Sequence, residues 1–211
     1  YEKIKQGLPN SKIKDSDRLV NWARLVKSDA EINLMKSAAI ISQKGMKTAM
    51  EVINPGVRQC DAVGEIQKAL FYGTPEFGGE YSSIATLLPT GKGTSASHLT
   101  ATQDKFGFSV VRAGNTADDV AQKFWGVLDK YNIKKDSRTG YSIGIGYPPD
   151  WGEHTLNISK GDKTVLQPNV TFHMIAVMQF GEWGVEASES VRVTENGHEL
   201  FCNFSRDLNI K

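Results

Sequence analysis

The sequence predicts an α+β domain, and three observations carry that prediction. Apolar residues recur at helix spacing in separate stretches, the first of them behind a capping box. Short runs with a period of two gather behind each of them, most densely toward the end of the chain. The order is helices and then strands, given twice, rather than a regular βαβ alternation.

Each element has a local cause. Ser28-Asp29-Ala30-Glu31 reads as a capping box, in which the Ser side chain accepts from the Glu31 N–H and Glu31 reaches back. Apolar residues recur at Ile32, Leu34, Met35, Ala38, Ala39, Ile41, Met46, Ala49 and Met50 until Asn54-Pro55-Gly56 ends the helix. A second helix is expected from about Asp61 to Tyr72, with Ala62, Ile66, Ala69 and Leu70 inward. A short buried strand is expected at Ile84–Leu88, and a helix from Thr116 to about Tyr131 with Val120, Phe124, Val127 and Leu128 inward. Strands are expected over Tyr141–Tyr147, Val170–Val177 and Val185–Thr194, the last two joined by a turn at Phe180-Gly181-Glu182.

The chain repeats itself weakly. Val52-Ile53-Asn54-Pro55-Gly56 is followed by Asp61, and Val110-Val111-Arg112-Ala113-Gly114 by Asp119. In both stretches a Gly supplies the helix-stop geometry and an Asp favours the next helix start. The halves are unequal, however. A long helix precedes Gly56, whereas only Phe106-Gly107-Phe108-Ser109 stands in the matching place before Gly114. A missing segment near 106–107 is therefore expected.

Bulk properties narrow the function classes. The 211 residues are 39% hydrophobic and 23% charged, which suits a packed core. A formal net charge of +1 gives no footprint for nucleic acid. No apolar run is long enough to span a bilayer, and a cytoplasmic location is expected. Cys60 and Cys202 lie far apart and outside any CxxC pattern, so both read as reduced thiols. Gly91-Lys92-Gly93-Thr94 lacks the spacing of a phosphate loop.

Three motifs carry a family resemblance. They are Leu88-Pro89-Thr90-Gly91-Lys92-Gly93-Thr94-Ser95, the run from Thr139 through Tyr141-Ser142-Ile143-Gly144 to Pro148-Pro149-Asp150-Trp151-Gly152-Glu153, and Gln167-Pro168-Asn169-Val170-Thr171-Phe172-His173. Together with Lys27-Ser28-Asp29-Ala30-Glu31 and the ending Val193-Thr194-Glu195-Asn196-Gly197, they resemble the creatinase/aminopeptidase (M24) superfamily, most closely its ectoine hydrolases. The resemblance implies a pita-bread fold: duplicated helix–strand halves around a curved antiparallel sheet. It covers residues 15–211 as the catalytic domain and leaves 1–14 as a remnant of an N-terminal domain or a linker.

The resemblance also implies a site. Superfamily peptidases hold two divalent metals with two Asp, one His and two Glu. Here the His position falls at Tyr141 and the Glu positions at about Ile175 and at Ser188, while the Asp positions belong to the suspected missing segment. Tyr and Ser are poor ligands for catalytic divalent ions and Ile is none. The expectation is therefore a hydrolase without a cofactor that opens the cyclic amidine ring of ectoine, with two divalent ions as the alternative.

Such chemistry needs a carboxylate for the amidinium and a group that takes and returns a proton. The catalytic candidates are His98, His173 and Glu186. His98 follows the Gly91–Ser97 loop, and the resemblance assigns it to proton transfer. His173 shares a strand face with Ile175, and Glu186 shares one with Ser188. The candidates for substrate binding are Tyr141, Tyr147, Asp150, Trp151 and Glu153, with Trp151 able to stack on a flat cation. His154 reads as facing solvent. A small-molecule substrate and a homodimer are expected, with no nucleic acid or membrane partner. The rival readings are a metal-dependent Xaa-Pro peptidase or lyase of the same fold, and a non-catalytic pseudo-peptidase binding module.

Overall fold

A computed structural model describes residues 1–84, 86–88, 111–135, 137–146, 151–181 and 183–205. Among these residues five helices and five strands follow in order: α1 Glu2–Gly7, α2 Leu19–Ala23, α3 Asp29–Val52, α4 Gln59–Tyr72, α5 Ala117–Lys130, β1 Gly140–Ile143, β2 Gly152–Asn157, β3 Thr171–Phe180, β4 Trp183–Thr194 and β5 Gly197–Leu200.

The two long amphipathic helices start where their caps stand. Ser28 accepts from the Glu31 N–H at the head of α3, and Glu31 accepts in return from the Ser28 N–H. Thr116 and Asp119 repeat this box at the head of α5. Each such cap contributes about 1 kcal/mol to its helix. Helices α3 and α4 pack against each other at Gly45, where a Cβ would stand 2.6 Å from Leu70 Cδ2. A larger residue at position 45 would have to displace the Leu70 side chain.

The strands form one antiparallel sheet in the order β2-β1-β3-β4-β5. Its two faces differ, because side chains alternate along a strand. Phe172, Met174 and Ala176 of β3 with Val191 and Val193 of β4 enter the core beneath α5, which supplies Ala117, Val120, Ala121, Phe124 and Leu128. Burying a side chain such as Phe172 in full stabilises the fold by roughly 1.5–3 kcal/mol. The alternate residues of the same strands, His173 and Ile175 of β3 with Glu186 and Ser190 of β4, line a cavity.

The chain ahead of α3 straps the sheet. Arg18 donates to the His154 carbonyl at 2.7 Å, Asn21 to the Glu153 carbonyl at 2.9 Å, and Arg24 to the Ile145 carbonyl. Val26 bridges Val170, and the Lys27 N–H donates to the Asn169 carbonyl at 3.1 Å.

Three expectations change. Residues 84 and 86–88 form no strand: a strand needs a hydrogen-bonded neighbour, and none pairs with them among the described residues. The strand expected over 141–147 ends at Ile143. The stretch from Gly152 onward, given no strand from sequence, forms β2 and pairs with β1. The suspected gap at 106–107 lies outside the described residues.

Candidate active site

A cavity of about 560 Å³ lies between the α3–α4 pair and the sheet. Ser42 and Leu70 come from the helices, with Ser82, Ser83, Ile84, Thr86 and Leu87 at one rim; Tyr141, Ile143, His173, Ile175, Glu186 and Ser190 come from the sheet. Trp151 stands at the mouth, about a third exposed at 36%.

Strand register brings the polar residues together. Tyr141 pairs with His173 across β1 and β3, and His173 pairs with Ser190 across β3 and β4. The Tyr141 and His173 rings lie 5.5 Å apart at centroid and are tilted by 51°. Ser190 Oγ lies 3.5 Å from His173 Nδ1, in reach of the nitrogen that sets the tautomer. Trp151 Nε1 donates to the Tyr141 hydroxyl at 2.7 Å. Glu186 stands two positions further along the same face, opposite Val177.

The electrostatics follow from burial. Desolvation lowers His173 to about 4, so its imidazole is uncharged at neutral pH. Burial raises the Tyr141 phenol, against the hydrogen bond from Trp151 and the nearby Arg138. The Glu186 carboxylate acts on both Tyr141 and Lys135. Burial lowers the Lys135 amine, which donates to the Val177 carbonyl at 3.1 Å and to Ser137 Oγ at 2.7 Å.

Four of the residues singled out from sequence meet at this cavity: His173, Glu186, Tyr141 and Trp151. His98, Tyr147 and Asp150 lie outside the described residues. Glu153, expected at the substrate, is not among the residues that line the cavity. It lies behind Gly144, 6% exposed, with Oε2 at 2.5 Å from Lys27 Nζ. Burial dominates both partners, raising Glu153 and lowering Lys27, against the attraction between them. Ser190 was missed in sequence; counting two residues on from Ser188 along the β4 face would have found it.

Known proteins place the chain. The model of metallopeptidase family M24 matches residues 105–195. The ectoine hydrolase of Halomonas elongata is 32% identical over 264 residues, taking in 100% of this chain and 66% of its own length. An uncharacterized hydrolase/peptidase of Sinorhizobium fredii is 30% identical over 258 residues, again with 100% of this chain and 66% of its own. The chain thus spans 66% of the length of these curated relatives. Among solved structures, the prolidase of Pyrococcus horikoshii superposes with a TM-score of 0.81 at 16% identity, covering 99% of this chain and 72% of that one. The X-Pro aminopeptidase of Thermotoga maritima gives 0.80 at 16% identity, covering 98% and 70%.

These matches correct the expectation of no cofactor. The matching family is one of metallopeptidases, and its peptidases and the prolidases are typically dinuclear metal enzymes. The described residues do not fit a pair of divalent ions. No group of three or more His, Cys, Asp or Glu among them could hold a metal ion, and Ile175 presents hydrocarbon at one of the expected ligand positions. Among the described residues no helix is long and apolar enough to cross a membrane. With 32% identity over the whole of this chain to a hydrolase and the fold of the prolidases, this chain belongs to the creatinase/aminopeptidase-like M24 family and has its pita-bread fold.

Proposed function

We propose that this chain is the catalytic part of a C–N hydrolase that opens the ring of ectoine. The observation that carries the reading is one cavity holding the Glu186 carboxylate, the uncharged His173 imidazole and the Tyr141–Trp151 aromatic pair. The 32% identity to the Halomonas elongata ectoine hydrolase, over the whole of this chain, supports the choice of substrate.

Ectoine is a planar cyclic amidinium that carries a carboxylate. Glu186 accepts charge-assisted hydrogen bonds from the amidinium N–H groups. Tyr141 and Trp151 offer ring faces to the flat cation. His173, uncharged at neutral pH, accepts a proton from the attacking water, whose oxygen bonds to the amidine carbon. The ring C–N bond then breaks as the added hydroxyl becomes the amide carbonyl, and both water protons end on the departing amine, the first through His173. An N-acetylated diaminobutyrate results. His98 is the second proton carrier in this scheme. The protein acts as a homodimer, which sedimentation would read.

The scheme includes the missing segment near 106–107. The aligned span of the Halomonas elongata relative runs to 264 residues against the 211 of this chain, about 53 more. The intact mass of the natural protein tests whether such a segment is present.

The test of function is turnover. Purified protein is incubated with ectoine, with divalent ions supplied, and the product is followed by mass spectrometry as a gain of one water. Substitution Glu186→Gln is expected to raise KM about tenfold or more, since it removes a charge-assisted contact. A folded protein that leaves ectoine intact, or that cleaves Xaa-Pro dipeptides instead, overturns the reading.

A further inference from the structure

Behind the Tyr141–Trp151 pair lies a second, smaller cleft of about 160 Å³, lined by Arg138, Tyr141, Trp151, Gly152, His154, Leu156 and Asn157. It shares Tyr141 and Trp151 with the main cavity, and their hydrogen bond forms the partition between the two. We infer that this cleft is an anion subsite that takes a carboxylate group.

The cleft exists because the sheet is irregular there. Tyr141 pairs with Asn157 and Ile143 with Gly152, so β1 advances two residues while β2 passes five. The three surplus residues bulge out of β2 and carry His154, whose φ of +54° lies in the left-handed region. A non-glycine residue held there marks a backbone fixed by its surroundings. The Arg18 side chain holds it by donating to the His154 carbonyl at 2.7 Å.

The chemistry of the lining selects an anion. The Arg138 guanidinium lies over the Tyr141 ring at 4.5 Å from the centroid and donates through Nη1 to Asn157 Oδ1 at 2.8 Å. Held flat on one side and tied at one corner, it still has N–H groups along its edge, and that edge matches the two oxygens of a carboxylate. The Asn157 carboxamide nitrogen adds further donors. No carboxylate stands among the described lining residues. The nearby Asp162 is already engaged: its oxygens accept from the Asn157 and Thr164 N–H groups at 2.7 and 2.9 Å.

Seen together, the two pockets have opposite character. The main cavity presents Glu186 and an uncharged imidazole, which suits a cation, while the cleft presents Arg138. The two pockets therefore suit groups of opposite charge, a cation on one side of the Tyr141–Trp151 pair and an anion on the other. The cation side rests on the proposed function; the anion subsite does not.

Calorimetric titration of the full protein with sodium acetate, against sodium chloride at equal ionic strength, tests the subsite. Acetate is expected to bind in competition with nothing but water, and Arg138→Gln is expected to weaken it about tenfold or more. Arg138→Lys keeps the charge and loses the fork, so it should bind less tightly than the native protein and more tightly than the Gln variant. Acetate that binds no better than chloride, or equally in all three proteins, overturns the subsite. The titration uses no ectoine, so failure of ectoine turnover with acetate binding intact removes only the proposed function.

Discussion

Tyr141 and His173 face each other across β1 and β3, with ring centroids 5.5 Å apart, and the imidazole is the more strongly perturbed of the two. Its depressed proton affinity has a consequence for stability. An unfolded histidine takes up its proton near pH 6.5, whereas folded His173 does so only near 4. Between those values the unfolded chain binds more protons, so stability present above about pH 6.5 is lost as pH falls toward 4. The loss should be on the order of 2 kcal/mol, after allowing for solvent at the cavity mouth. Urea unfolding at pH 7 and pH 5 measures it, and His173→Gln should remove this part of the pH dependence. An unchanged pH dependence in that variant would rule out His173 as its source.

Lys27 and Glu153 are both buried and lie 2.5 Å apart. Lys27→Met leaves the Glu153 carboxylate without its cation, and a loss of about 3–5 kcal/mol is expected. The double variant with Glu153→Leu should recover part of that loss, because no unpaired charge then remains. A double-mutant cycle by urea unfolding checks the coupling; simple additivity would contradict it.

Gly144 is required by the same pair. A Cβ there would lie 2.1 Å from Glu153 Oε1 and 2.9 Å from Lys27 Cε. Gly144→Ala must displace the carboxylate and should cost roughly 1–3 kcal/mol. Thermal unfolding reads the effect, and wild-type stability in the variant would show that the pair has room to move.

Asp118 joins α5 to the turn after β2. It accepts from Lys163 Nζ, from the Gly161 N–H at 2.9 Å and from Gln122 at 2.8 Å. These hold its carboxyl down to about 2, Lys163 most strongly. The stabilisation is complete above the usual carboxylate range and is lost as pH falls through about 2. Asp118→Asn is expected to lower stability at pH 7 and to flatten its acid dependence. Equal midpoints for both proteins at pH 7 and pH 3 would oppose this.

Local signals determined much of the architecture. Ser28 with Glu31 and Thr116 with Asp119 set two helix starts, because capping is a contact between residues three apart. Alternation in β3 separated Phe172 and Met174 from His173 and Ile175, since successive side chains must point to opposite faces. That alternation brought His173 and Glu186 to the cavity on paper. Tertiary structure alone decided the rest. Whether Glu153 met a ligand or Lys27 turned on a contact 126 residues apart in sequence, which no spacing rule reaches. Ile84–Leu88 had strand composition, yet nothing pairs with residues 84 or 86–88 among the described residues, and the residues from Gly152 to Asn157 became a strand because β1 offered an edge. The cleft of Arg138 and His154 arose from a mismatch in the β1–β2 register, a property of two strands together that neither segment carries alone.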